Sequence, residues 1–229
     1  MANVASNINA TLTKMRQAGK LQSYKEKGNS GEKAVYDIIH NYRAMRGGLL
    51  YQSFMYPYAS DRQGKIYLGN IFYDKDRKVF YDQTTQVNDE IDILYISPFR
   101  VFAIEVKAYH MRKVEFSDQW MVREGAMVEK SPLAQAEKHA RHLYHSIYDV
   151  LPDGDWRYIL PCVVFVDAVK SGEDKRSPNM RQYLPVLPLN DLMQTIRSRD
   201  LIPPGASYTL DLDAIEKKLK SIQCERTIE

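Results

Sequence analysis

The chain reads Asn88-Asp89-Glu90-Ile91-Asp92-Ile93-Leu94-Tyr95-Ile96 and then, after Ser97-Pro98-Phe99-Arg100, Val101-Phe102-Ala103-Ile104-Glu105-Val106-Lys107. Both runs are short, apolar and rich in β-branched and aromatic residues, which predicts two strands joined as a hairpin by the Ser-Pro turn. Strand side chains alternate, so Asp92 shares a face with Leu94 and Ile96, while Glu105 and Lys107 share one with Val101 and Ala103. Folding alone does not call for three charges there. Two half-buried carboxylates brought together by the hairpin raise each other's pKa unless a cation lies between them, and a divalent metal is the natural cation. Val106, one residue out of phase, packs on the opposite face.

Before the hairpin, residues 30 to 48 predict an amphipathic helix capped by Ser30, with Ala34, Val35, Ile38, Ile39 and Met45 on its apolar side and Gly47-Gly48 as its stop. Glu32 falls in its first turn, where the helix dipole favours an acid in any case. Leu49 to Tyr58 reads as a strand. Residues 59 to 88 read as an insertion of short strands around Ile66-Tyr67-Leu68, Ile71-Phe72-Tyr73 and Val79-Phe80-Tyr81. After the hairpin come short strands near Val114, Trp120 and Ala126. Ser131-Pro132 then open a second helix whose apolar stripe is Leu133, Ala136, Ala140, Leu143 and Ile147. Gln135, His139, His142 and Ser146 line up beside that stripe. Arg157 to Val166 reads as a buried strand, Tyr183 to Leu187 as another, and Leu189 to Ser198 and Asp211 to Cys224 as closing helices.

The order and context of these motifs resemble the PD-(D/E)xK nuclease superfamily and, within it, the nuclease-related domain branch. The resemblance rests on Gly31-Glu32 opening a helix, Glu90-Ile91-Asp92 on a strand, Val101 to Lys107 on the next, and Pro132-x-x-Gln135 on a later helix. Glu-x-Lys alone is weak, since Glu173-Asp174-Lys175 and Glu216-Lys217-Lys218 also fit it. The resemblance implies an α/β fold, a restriction-endonuclease-like mixed sheet flanked by helices with an α-β-β-β-α-β core. It implies a nuclease-like domain over residues 31 to 200, preceded by an arm at 1 to 30 and followed by a helical extension at 201 to 229.

It further implies a Mg²⁺- or Mn²⁺-dependent deoxyribonuclease. Asp92, Glu105 and the backbone carbonyl of Val106 hold the ion, Lys107 acts on water or on phosphate charge, and Glu32 and Gln135 assist. Asp89 and Glu90 flank the site as its rim. DNA is the expected partner, a homodimer is compatible, and no membrane is involved. The chain departs from the branch pattern in the length of its insertion and in Ala108-Tyr109-His110-Met111-Arg112, where a glycine-containing turn is expected.

Length and charge agree with this reading without compelling it. The 229 residues suffice for one substantial core, and the net charge of +3 is uneven: Lys14, Arg16, Lys20, Lys25 and Lys27 face only Glu26 in the first 30 residues. That arm suits phosphate tracking, or is simply a solvated tail. His139 and His142 suit a polar helix face turned to DNA, or a solvated one. Cys162 and Cys224 read as reduced thiols, and the N-terminus lacks the apolar centre of a signal peptide, so a cytoplasmic location is expected. No phosphate-binding loop, H-E-x-x-H, G-x-S-x-G or C-x-x-C appears. The rival readings are a catalytically inactive nuclease-fold module binding DNA or a protein, and a zinc-stabilised domain built on the histidines.

Overall fold

A five-stranded mixed sheet sandwiched between helices organises the protein. The computed structural model describes residues 30–57, 71–74, 79–82, 88–108, 114–117, 121–123, 126–127, 131–166 and 172–223. Helix α1 occupies residues 30–46, followed by β1 (Leu49–Pro57), β4 (Asn88–Ile96) and β5 (Val101–Lys107). Helix α2 (Pro132–Ile147) then crosses to β9 (Ile159–Phe165), which lies parallel to β5. The sheet order is β1-β4-β5-β9, closed by β11 (Val186–Pro188). This is the α-β-β-β-α-β core of a restriction-endonuclease-like fold.

Strand alternation divides the core in two. Ile93, Tyr95, Phe102, Ile104 and Val106 pack under Val35, Ile39 and Tyr42 of α1 and under α4 (Leu192–Arg199). Leu94, Ile96, Val101 and Ala103 pack on the other side, under Ala140, Leu143 and Ile147 of α2 and Ile215 and Leu219 of α5 (Leu212–Ile222). The C-terminal helix is therefore built into the same core. Burying both faces explains why β5 and β9 are apolar at nearly every position.

The hairpin turn is held by Ser97, whose N–H donates to the Arg100 carbonyl at 2.9 Å while its hydroxyl accepts from the N–H groups of Phe99 and Arg100. Its hydroxyl also bonds the buried carboxylate of Asp200, which takes Tyr42 Oη at 2.8 Å and Arg46 Nε at 3.3 Å. Asp200 thus ties α1, the turn and the end of α4 together. Gly47 (φ +82°) and Gly48 (φ +108°) terminate α1 as the sequence predicts; a Cβ on Gly48 would lie 2.1 Å from the Ile96 carbonyl oxygen.

Two capping expectations change. Ser30 is already helical, and Ser131 occupies the N-cap of α2 without a side-chain cap bond, its hydroxyl buried and lacking a hydrogen-bond partner. Pro132 does stand at the first helical turn. Of Tyr183 to Leu187, expected as a strand, Tyr183 ends a short helix α3 (Pro178–Tyr183), and the strand that pairs with β9 is Val186–Pro188. Outside the main sheet, β2 (Ile71–Asp74) pairs with β3 (Val79–Asp82), and β10 (Gly172–Asp174) joins β6 (Val114–Phe116), β7 (Met121–Arg123) and β8 (Ala126–Met127). Ile66-Tyr67-Leu68, the basic arm with Lys14, Arg16, Lys20, Lys25 and Lys27, Tyr109, His110, Trp120 and Cys224 lie outside the described residues. No described helix is long and apolar enough to cross a membrane.

A candidate active site where two strands part

The antiparallel ladder between β4 and β5 runs from Ile96↔Val101 to Ile93↔Ile104 and stops one step before Asp92 would face Glu105. Past that point the Asp92 side chain takes over the bonding: its Oδ2 accepts the Val106 N–H at 2.7 Å. A backbone donor released by the parting strands is thereby satisfied by a carboxylate, and the carboxylate is held against β5.

The same level of the sheet carries a second irregularity. Ser53 of β1 has φ +49°, and the β1–β4 pairing skips from Gln52↔Ile93 to Phe54↔Ile91. Leu94 and Ile96 lie on the α2 face, Ile93 and Tyr95 on the α1 face, yet Ile91 lies on the α2 face again. Phe54 and Tyr56 shift in the same way relative to Leu50. Both strands therefore slip by one residue in side-chain alternation at Ser53 and Asp92 while keeping their pairing. A non-glycine residue in the left-handed region costs about 1 kcal/mol, and here it stands beside the charged cluster.

The slip turns Asp89 toward α2. Asp89 is buried, its Oδ1 accepting Lys138 Nζ at 2.8 Å and its Oδ2 contacting His142 Nδ1. Burial opposes its ionisation, but these two partners prevail and hold its carboxyl down at about 2. Asp89, expected with Glu90 on the rim of the site, is instead buried against α2. His142 corrects the expectation of a DNA-facing histidine: it is 7% exposed and turned inward, because Asp89 needs a cationic or donor partner in the core.

Glu105 is 4% exposed and bound at Oε1 by Lys107 Nζ. His139 Nδ1 lies 3.3 Å from Glu105 Oε2, in ion-pair range but outside hydrogen-bond alignment, so Oε2 is a buried oxygen without a hydrogen-bond partner. His139, like His142, thus turns toward a carboxylate. Burial works to raise the Glu105 pKa, yet the His139 and Lys107 contacts outweigh it and hold the carboxyl below its usual range. Asp92 goes the other way. Burial, then the Glu105 charge, and more weakly Glu32 push it up to about 7, against the Val106 N–H and Lys107.

Glu32 reaches this field because Gly31 lets α1 approach the strand ends. A Cβ on Gly31 would come within 3.1 Å of Val166 Cγ2 and 3.3 Å of Ala108 Cβ. Val106 packs its side chain on the α1 face, as expected. Gln135 lies one turn before His139 on α2 and is partly buried. The structure therefore brings Asp92, Glu105, Lys107, His139 and Asp89 together, with Glu32 near Asp92.

The donor set suits a small hard cation. Asp92 and Glu105 offer carboxylate oxygens, one of them, Glu105 Oε2, buried and without a hydrogen bond though 3.3 Å from His139 Nδ1, and their mutual repulsion is what a divalent ion relieves. Among the described residues no group of three or more His, Cys, Asp and Glu side chains is arranged to hold a metal, which leaves the histidines without a zinc cage. An ion held here would take few ligands from the chain, which magnesium tolerates.

A family model described as the nuclease-related domain matches residues 27–166, more than half of the chain and the span from α1 through β9. No curated protein and no solved structure matches it.

Proposed function

The chain belongs to the nuclease-related domain family, and from that premise we propose that it hydrolyses DNA phosphodiester bonds with the help of Mg²⁺ or Mn²⁺. The observation that carries this reading is the pair Asp92 and Glu105 at the parting of β4 and β5, with Asp92 pushed up to about 7 and a buried Glu105 oxygen that accepts no hydrogen bond. Asp92, Glu105 and the Val106 carbonyl would hold the ion. When bound, the ion supplies a more acidic water and offsets charge on the phosphate.

The chain's own residues supply the rest. The Val106 N–H fixes the orientation of Asp92, and Lys107, its side chain only 17% exposed, lies where it can orient an attacking water or offset charge on a phosphate oxygen. In hydrolysis the water oxygen joins phosphorus in line as the bond to the leaving oxygen breaks, and that oxygen departs with a proton. Glu32, whose charge acts weakly on Asp92, and Gln135, one turn before His139 on α2, would assist. The basic stretch Lys14, Arg16, Lys20, Lys25 and Lys27 suits the DNA backbone by charge.

The test is metal analysis of the purified protein together with cleavage of supercoiled, linear and single-stranded DNA in Mg²⁺ or Mn²⁺. Cleavage that requires the ion and vanishes in folded Asp92→Ala and Glu105→Ala proteins is the expected result. Ion-independent cleavage, or wild-type rates in either variant once contaminating nuclease is excluded, sinks the assignment. DNA binding by the wild type with no cleavage under any of these conditions identifies the inactive binding module instead.

A further inference from the structure

Helix α2 is pinned to the sheet at the level of His139. The Tyr56 hydroxyl donates to the His139 carbonyl at 3.0 Å, and Lys138 and His142, the neighbours on either side along the helix, engage Asp89 of β4. These contacts fix the backbone of His139 without using its ring. The ring, 14% exposed, stands between two buried carboxylates, with Nδ1 at 3.3 Å from Glu105 Oε2 and Nε2 at 4.0 Å from Asp89 Oδ1.

We propose that His139 is a positioning residue for Glu105. A glutamate has rotatable bonds enough to swing its carboxylate away from Asp92, and burial alone does not choose its plane. Lys107 holds one oxygen and His139 confines the other, so the carboxylate is presented in one orientation toward the place where Asp92 and Glu105 meet. Asp89 serves at one remove, as the buried anchor that sets the height of α2 against β4. This inference rests on the nuclease reading for its purpose but not for its geometry. Partners that orient metal-ligating carboxylates typically change metal affinity or activity by about 10–100-fold when removed.

His139→Asn and His139→Leu provide the test, because the two side chains share one branched skeleton of four heavy atoms and only the amide offers a donor near the place of Nδ1. Mn²⁺ affinity is measured by calorimetry, with thermal unfolding and single-turnover DNA cleavage alongside. His139→Leu is expected to bind Mn²⁺ at least about tenfold more weakly, with cleavage falling in step, and His139→Asn to stay within about threefold of the wild type. Equal Mn²⁺ affinity in the two variants overturns the proposal, as does a wild-type value for His139→Leu or failure of both to fold, which assigns His139 a purely structural role. If the wild type itself neither binds Mn²⁺ nor cleaves DNA, the nuclease reading has failed. If the wild type does both and His139→Leu matches it, only the positioning role has failed.

Discussion

The substitution Asp92→Asn should make the metal-free protein more stable at alkaline pH while abolishing cleavage. The folded-state pKa of Asp92 rises from its ordinary 3.8 to about 7, chiefly through burial and then through the Glu105 charge. An acid whose pKa is raised on folding leaves stability intact below the unfolded value and removes it as pH climbs through the folded value, so the loss accumulates between 3.8 and about 7. Its full size at higher pH is about 4 kcal/mol by the linkage conversion. The asparagine would escape that loss and keep a carbonyl oxygen for the Val106 N–H. The charge-assisted bond from Val106 and the attraction to Lys107 that it gives up are already contained in that net shift.

A gain of up to about 4 kcal/mol is expected near pH 8.5, worth roughly 8–16 °C in Tm for a chain of this size. Near pH 4, where Asp92 is protonated in the fold, the gain should be gone or slightly reversed. Thermal unfolding followed by circular dichroism in EDTA across that range gives the answer. A variant no more stable than the wild type at pH 8.5, or one equally stabilised at pH 4, would refute the claim that this carboxylate is held in the fold against its own charge.

Lys107→Ala should lose most turnover even at saturating Mn²⁺, beyond the roughly tenfold weaker Mn²⁺ binding expected once Glu105 Oε1 is released, if the ammonium acts on water or phosphate; loss of metal binding as complete as in Asp92→Ala would make Lys107 a structural support. Gly48→Ala should unfold far more readily than Gly47→Ala: both need a left-handed backbone, costing about 1 kcal/mol, but only at Gly48 does the new Cβ run into the Ile96 carbonyl, and similar Tm losses would contradict this. Removing residues 1 to 27 should weaken DNA binding at low salt and flatten its salt dependence by about 0.9 per lost phosphate contact on logarithmic axes, leaving Mn²⁺ affinity unchanged. Identical slopes would make the arm a bystander.

Much of the architecture is legible in the order of residues because local physics dictates it. Continuous apolar runs bounded by turn residues become β4, β5 and β9, the Gly47-Gly48 stop ends α1, and Pro132 starts α2 over the stripe from Leu133 to Ile147. Period-two alternation also puts Glu105 and Lys107 on the α2 face, and the Ser97 turn brings β4 back along β5 so that Asp92 comes level with Glu105. The chain alone could therefore point to paired carboxylates beside a lysine. It could not show that alternation breaks at Ser53 and Asp92, because that break follows from one left-handed residue and from two strands slipping together, and neither has a signature in residue type. Asp89 consequently changes sides, drawing His142 and Lys138 inward and leaving the His139 ring against Glu105. On the helix alone those histidines read as a solvated face, since periodicity reports which residues share a side and not what lies opposite. What lies opposite is set by long-range packing, here a buried carboxylate contributed from about fifty residues earlier in the chain, and a buried charge takes whatever partner the assembled fold brings within reach.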